Sequence, residues 1–300
     1  MRSIARLKNI ITKHLPSETK LATEKEKVFY CLAEFGKYAE YYDKALAINK
    51  EIVNRDGEVA NYLDLGTAFR YLGKYDQAEE YLDKALAMTK ELGDRAGEGA
   101  CYGLLGNLQH ALTENGKAEE YLKKALEIRN EIGDRQGEAA EYGKLGVLFS
   151  QSLGEYGKAL EYHEKAVAIS KEVGDKREEA GYYANIGAVF QSRGEYGKAK
   201  EYLAKALEIT KEIGNREREA NLYGNLGNVF HYLEKNEKAK EYYEKTLAIS
   251  KEIGDRQGEA TVYGNLGKLS RDLGEYGKAK GYYSRALAIS KKIGNVEQAA

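Results

Sequence analysis

The side chains able to do catalytic or metal-binding chemistry in this 300-residue chain are four histidines, two cysteines and 48 carboxylates. An acid/base pair or a metal site needs several of them together, and spacing along the chain is the first filter. His14, His110, His163 and His231 stand far apart; no His-Glu-x-x-His pair, Gly-rich phosphate loop, or Ser or Cys nucleophile in a recognisable setting occurs. Cys31 and Cys101 have no partner at metal-ligand spacing, so both are expected as free, buried thiols in a reducing compartment. His163, at an inter-helix position, is expected in the core. Glu119-Glu120 and Glu178-Glu179 are expected on solvated helix faces with Lys partners at i to i+4 spacing. The expectation is a non-enzyme with no cofactor and no metal.

Charge narrows the partners. Forty-seven Lys plus Arg against 48 Asp plus Glu leave a formal charge of -1, interspersed along the chain, which argues against nucleic acid or an anionic membrane as the partner. Twenty-five tyrosines could stack on RNA, but most recur at inter-helix sites such as Tyr202, Tyr242 and Tyr282, and no basic stripe accompanies them. No apolar run approaches the roughly 18 residues of a membrane span, and the start lacks a secretory signal core. A soluble, cytoplasmic protein is expected.

The elements that position these residues are helices. In the stretch from Ala260 to Ala299, Tyr263, Leu266 and Ser270 fall at helical spacing, Gly274 breaks the pattern, and a second helical run passes through Ala279, Tyr282, Tyr283, Ala286, Ile289 and Ile293. The stretch predicts an antiparallel hairpin closed by Gly294, with Asn295 capping the next helix. Gly267 and Ala279 are small where Tyr263, Leu266, Tyr283 and Leu287 are large, so the two helices should interlock. A lone hairpin leaves an apolar face uncovered, which a neighbouring copy must bury.

Copies do follow one another. Leu65-Gly66, Leu105-Gly106, Leu145-Gly146, Ile186-Gly187, Leu226-Gly227 and Leu266-Gly267 recur at steps of 40, 40, 41, 40 and 40 residues. They define six units: 59–98, 99–138, 139–179, 180–219, 220–259 and 260–299. The one inserted residue falls around Ser150-Gln151-Ser152, to be absorbed by a looser turn or a helix bulge. Residues 16–58 read as a degenerate copy with two helices, in which Val53 replaces the terminating Gly. Residues 1–15 carry Ile4, Leu7, Ile10, Ile11 and Leu15 beside four cations and no acid, which suits a capping helix for the array or, alternatively, a mitochondrial targeting segment. Ala299-Ala300 open a further copy, so the last outer face, with Tyr282, Leu287 and Ile293, is expected to be partly uncovered and open to self-association.

Tyr62, Leu65-Gly66, Phe69, Gly73, Tyr75, Ala78, Leu82 and Ala85 resemble the tetratricopeptide repeat pattern. The 40-residue unit is similar to the repeats of the LGN/Pins adaptors, as in Tyr223-Gly224-Asn225-Leu226-Gly227-Asn228 and Glu252-Ile253-Gly254-Asp255-Arg256. It also resembles long invertebrate arrays, some fused to nucleotide-hydrolysing or protease-like domains. The resemblance implies an all-α solenoid, a right-handed superhelix of antiparallel helix hairpins, that binds a protein partner along a concave groove lined by the first helices.

In LGN-type arrays, asparagines of that segment hold the backbone of an extended peptide. The matching positions here are Asn185, Asn225 and Asn265, with Asn107 and Asn228. An amide offers both donor and acceptor, as an extended backbone requires. Earlier copies carry Asp64, Leu104 and Lys144 instead. Arg70, His110, Gln191, His231, Lys268 and Arg271 lie one to two turns on, against Asp64 and Asp272, a mildly cationic lining suited to an acidic peptide. Gly103, Gly143, Gly224 and Gly264 sit in mid-helix at roughly 1 kcal/mol each relative to Ala, for ligand approach or for helix packing. The alternative function is a spacer, sensor or self-associating segment of a larger signalling protein. No chaperone-type clamp of Lys and Asn occurs on any adjacent trio of repeats.

Overall fold

The computed structural model describes residues 24–297, with side chains over 37–293; the expectations for residues 1–15 lie outside this range. Thirteen helices and no strand occur among the described residues: α1 (Glu24–Glu51), α2 (Arg55–Tyr71), α3 (Tyr75–Leu92), α4 (Arg95–Ala111), α5 (Asn115–Glu131), α6 (Arg135–Gln151), α7 (Tyr156–Glu172), α8 (Lys176–Ser192), α9 (Tyr196–Glu212), α10 (Arg216–Tyr232), α11 (Asn236–Ile253), α12 (Arg256–Asp272) and α13 (Tyr276–Glu297). The fold class is all-α, an α-solenoid. Two compact units divide within α11, one of Leu32–Tyr242 and one beginning at Tyr243.

Each repeat boundary is a stop and a start in two residues. Gly93 takes φ 70°, the backbone N–H of Asp94 returns to Thr89 O at 2.9 Å, and the Asp94 carboxylate accepts from Gly97 N at 2.9 Å. Asp134, Asp175, Asn215 and Asp255 cap the following first helices in the same way, at 2.9 to 3.0 Å. Each satisfies a first-turn N–H that the helix leaves without a carbonyl.

Within the Leu32–Tyr242 unit, α2 pairs with α3, α4 with α5, α6 with α7 and α8 with α9, and each second helix packs on the next first helix. The pairing rests on a close approach. A Cβ on Gly66, Gly106 or Gly187 would lie 2.6, 2.7 or 2.8 Å from Leu82, Leu122 or Leu203, and one on Gly146 would meet the ring of His163 at 2.5 Å. Above that seam, aromatic rings bridge the helices: Phe69 stacks on Tyr81, Phe149 on Tyr162 and Phe190 on Tyr202, all at 5.4 Å between centroids. The recurrent tyrosines are therefore hairpin packing. A buried Glu at the start of α4, α6, α8 and α10 faces a cation three residues earlier, as in Arg95–Glu98 at 2.5 Å and Arg216–Glu219 at 2.6 Å. Glu179 is one of these, buried against Lys176 at 2.9 Å, so its solvated placement is corrected; Glu119–Lys123 and Glu120–Lys124 do pair at 2.6 Å.

In the other unit α12 pairs with α13, and a Cβ on Gly267 would come 2.7 Å from Tyr283. Leu287 fills no seam: it is 56% exposed. Helix α13 also runs through Gly294, which does not close it as expected; at the other boundaries the left-handed stop is completed by the capped helix that follows.

Two further departures are local. Residues Glu24–Glu51 form one helix, because Gly36 stays helical and Ala33, a strong helix former, stands where the next copy carries the turn glycine Gly73. The inserted residue is taken up by a looser turn: Glu155 N reaches back to Phe149 O at 2.9 Å, one residue further than Lys74 N to Phe69 O in the first hairpin. Helix α6 keeps the same 17-residue length as α4.

Val53, Thr113 and Glu234 occupy glycine positions with φ 56°, 61° and 58°. A side chain there costs about 1–2 kcal/mol, more for a β-branched residue, against which glycine loses chain entropy. Thr113→Gly should therefore raise stability by about 0.5–1 kcal/mol in urea denaturation followed by circular dichroism. Gly106→Ala, which drives a methyl into Leu122, should lower it by about 1–3 kcal/mol. The opposite ordering of the two variants would contradict this packing.

Candidate functional site

The first helices bury one side and leave a stripe open. In α2, Leu65, Gly66, Ala68 and Phe69 are buried, whereas Asp64, Thr67 and Arg70 are half-buried. The same registers recur as Leu104, Asn107 and His110 in α4, Lys144, Val147 and Ser150 in α6, Asn185, Ala188 and Gln191 in α8, and Asn225, Asn228 and His231 in α10. Positions three apart on a helix share a face, so each helix contributes a strip of three. Helix α2 touches α4, α4 touches α6 and α6 touches α8, and Gln191 Nε2 donates to the Asn225 backbone oxygen at 3.3 Å across α8 and α10. Asn107, Asn185, Asn225 and Asn228 are all half-buried on this surface, as is Gln191. In the unit beginning at Tyr243, Asn265 is half-buried while Lys268 and Arg271 are exposed on α12.

Two of the mid-helix glycines, Gly103 and Gly143, have a packing cause. A Cβ on Gly103 would meet Glu141 at 2.7 Å and Lys144 at 3.0 Å, and one on Gly143 would collide with the Tyr182 ring, each from the next first helix. Gly264 faces open space.

The cations differ in their availability. Lys144 is paired with the buried Glu141 at 2.7 Å, and Arg271 with its neighbour Asp272 at 2.9 and 3.0 Å. Arg70 lies 4.2 Å over the Tyr71 ring, a cation–π contact that leaves its charge on the open face. His110 Nε2 is 2.9 Å from Ser152 Oγ, and burial lowers its pKa. Two of the expected cations are thus largely neutralised by acidic partners on their own helices.

Several of the groups singled out for chemistry are buried. Cys101 is free and buried, its thiol pushed up to about 12 by burial; the Cys31 side chain is outside the described residues. His163 is buried as expected, its pKa lowered to about 4 by the same cause. Among the described residues no group of three His, Cys, Asp or Glu could hold a metal, and no helix is long and apolar enough to cross a membrane. Sequence spacing missed a cavity behind Asn185, described below. Its signal was faint, a run of short side chains where other copies carry long ones.

Stacked hairpins with an open first-helix face define a helical repeat protein. A family model described as tetratricopeptide repeat matches residues 39–91, 58–131, 137–212 and 218–292, and the chain belongs to that family. A comparison with curated proteins finds no match. Among solved structures, the chain is similar to a STAND protein with a tetratricopeptide repeat sensor from Pyrococcus horikoshii, at 21% identity and a TM-score of 0.71 over 91% of this chain and 42% of that one. It is similar to BtubC from P. vanneervenii, at 20% identity and 0.63 over 75% of this chain and 92% of that one. A Rap protein complexed with Competence and Sporulation Factor matches at 20% identity and 0.60 over 89% of this chain and 77% of that one. At such identities the likenesses concern the fold alone.

Asp64 is the open stripe's acidic exception. Burial pushes its carboxyl up to about 6. Folding thus favours the protonated acid, so the native state binds more protons than the unfolded chain between about pH 4 and 6, and stability falls as pH rises through that window. Asp64→Asn should raise stability at pH 7.5 by on the order of 1 kcal/mol, discounted for partial exposure. At pH 3.5 the two proteins should match in urea denaturation. A larger gain at pH 3.5 than at pH 7.5 would contradict the assignment.

Proposed function

We propose that the chain is a non-enzymatic scaffold whose open first-helix stripe over Leu32–Tyr242 binds an extended peptide segment of a partner protein. The observation that carries the proposal is the pair Asn185 and Asn225, half-buried at one register on helices that the Gln191–Asn225 hydrogen bond joins. An extended ligand presents a backbone N–H or C=O at every residue, and each must find a partner when it leaves water. Two amides on neighbouring helices, with Asn107 and Asn228 one turn on in α4 and α10, supply donors and acceptors together. This use agrees with the LGN/Pins resemblance of the repeats. Arg70 within this surface favours acidic side chains in the ligand, at an affinity that falls with salt. The cytoplasm is the compartment we assign, where thiols such as Cys101 stay reduced.

A second role is favoured by the exposed apolar face of α13, where Tyr276 is 72% and Leu287 56% exposed and, with Tyr283, they border a shallow depression of about 390 Å3. Such a face suits self-association or service as a sensor or spacer within a larger assembly. Sedimentation equilibrium would then show mass rising with concentration for the wild type and not for Leu287→Lys/Tyr276→Lys; equal masses for the two would remove this role.

The groove is tested with peptides selected from a random display library. Asn185→Ala/Asn225→Ala should keep its helical circular dichroism, because half-exposed polar positions contribute little to stability. By calorimetry its peptide affinity should fall by about 1–3 kcal/mol for each backbone group left unpaired. Unchanged affinity in the folded variant would place binding elsewhere.

A further inference from the structure

Behind Asn185 a cavity of about 340 Å3 opens between α6 and α8 and ends on α7. It exists because two adjacent repeats, 139–179 and 180–219, depart from their siblings at three positions. Ser150 stands where the other copies carry Arg70, His110, Gln191, His231 and Arg271. Ala188 stands where most carry a longer polar side chain, such as Asn107, Asn228 or Lys268. His163 replaces Leu82, Leu122, Leu203, Tyr243 and Tyr283 at the hairpin seam. Short residues at the mouth and a polar one within coincide where these two repeats meet. The first of the two is also the repeat with the inserted residue, which precedes Tyr156 on the cavity wall.

His163 lines the cavity, is 1% exposed, and has a buried Nδ1 with no hydrogen-bond partner. A buried polar atom left without a partner costs about 1–3 kcal/mol, which a ligand atom can offset. With the imidazole neutral, no lining residue carries a charge. Val147 and Val189 give apolar walls, Ser150 and Ser192 give hydroxyls, and Asn185 sits where the cavity meets the open stripe. Ser150 Oγ already donates to Val147 O at 3.1 Å, so it offers an acceptor.

We propose that this cavity takes one side chain of the bound peptide, an aromatic ring bearing a hydrogen-bonding atom, namely tyrosine or tryptophan, and the assignment rests on the peptide-binding function above. A charged side chain would lose its hydration with no opposite charge to meet it. Phenylalanine would fill the walls but leave His163 unpartnered. The volume lies at the small end of ligand cavities, roughly 300–1,000 Å3, which suits one large side chain. A tyrosine or tryptophan is an apolar body with one polar tip, the pattern of this lining. Asn185 then serves both parts of the ligand, holding main chain at the lip while the side chain enters beside it.

The test uses the whole chain labelled with 15N-histidine and the probe N-acetyl-tyrosinamide, which has the side chain but no extended backbone. The His163 ring resonances, assigned by their loss in His163→Leu, should shift saturably with the probe. N-acetyl-phenylalaninamide should bind about ten-fold more weakly, the effect of one unmade hydrogen bond. Ser150→Arg and Ala188→Lys, each restoring a residue that other copies carry, should abolish the shift. Asn225 lies outside the cavity, so Asn225→Ala should leave the probe's saturation unchanged while weakening selected peptides. No saturable shift in the wild type, equal binding of the two probes, or full binding in both Ser150→Arg and Ala188→Lys would overturn the cavity assignment. Peptide affinity unaffected by the groove substitutions, with the His163 shift intact, would instead bring down the groove and leave the cavity standing.

Discussion

The absence of a side chain at Gly66, Gly106, Gly146 and Gly187 is the constraint on which the hairpins depend. A Cβ there would sit within 2.8 Å of the facing leucine or histidine, closer than carbon atoms approach in packed interiors. Two helices at that separation fix which residues of the first helix are buried and which remain on the far side. The open stripe at 64, 67 and 70 and its repeats is therefore a consequence of the seam: once Leu65, Gly66, Ala68 and Phe69 turn inward, positions three apart on the opposite side turn out. Function in such an array is carried by what the packing leaves over.

The same logic explains why some polar stripe residues are structural. Lys144 is held by Glu141 on its own helix, whereas Gln191, bonded to the backbone of α10, ties two consecutive first helices together. Gly103 and Gly143 give room to those neighbours. The asparagines are different, since Asn185 and Asn225 retain side-chain amides at the same register without a seam to fill. The cavity beside Asn185 arises where the repeat's own rule is relaxed, with His163 at a seam that leucine or tyrosine fills elsewhere. Its depressed basicity follows from that burial.

Much of this architecture was legible in the sequence because its determinants are local. A Gly followed by Asp or Asn specifies both a left-handed stop and a cap within four residues, and the structure forms both at Gly93-Asp94, Gly133-Asp134 and Gly174-Asp175. The aromatic positions recur with the period and pack as their spacing implies. What failed depends on neighbours or on missing signals. Helix α1 runs unbroken because nothing at Ala33 or Gly36 forces a turn, and a family pattern does not supply one. Lys144–Glu141 and Arg271–Asp272 neutralise cations that look free when one register is read alone. Glu179 resembles a surface acid until the lysine three residues before it is placed over it. The cavity requires side-chain lengths on α6, α7 and α8 to be compared at once, which no linear motif encodes.

The account stands on the open face of the first helices being the surface that meets the partner. Site-specific photo-crosslinking tests that most directly. A benzophenone amino acid is placed at position 188, exposed on α8, or at position 204, exposed on the second helix α9. Each protein is irradiated with a library-selected peptide and the adducts are mapped by mass spectrometry. The account predicts adducts from position 188, mapped to one short stretch of the peptide, and none from position 204. Adducts from position 204 alone would contradict it.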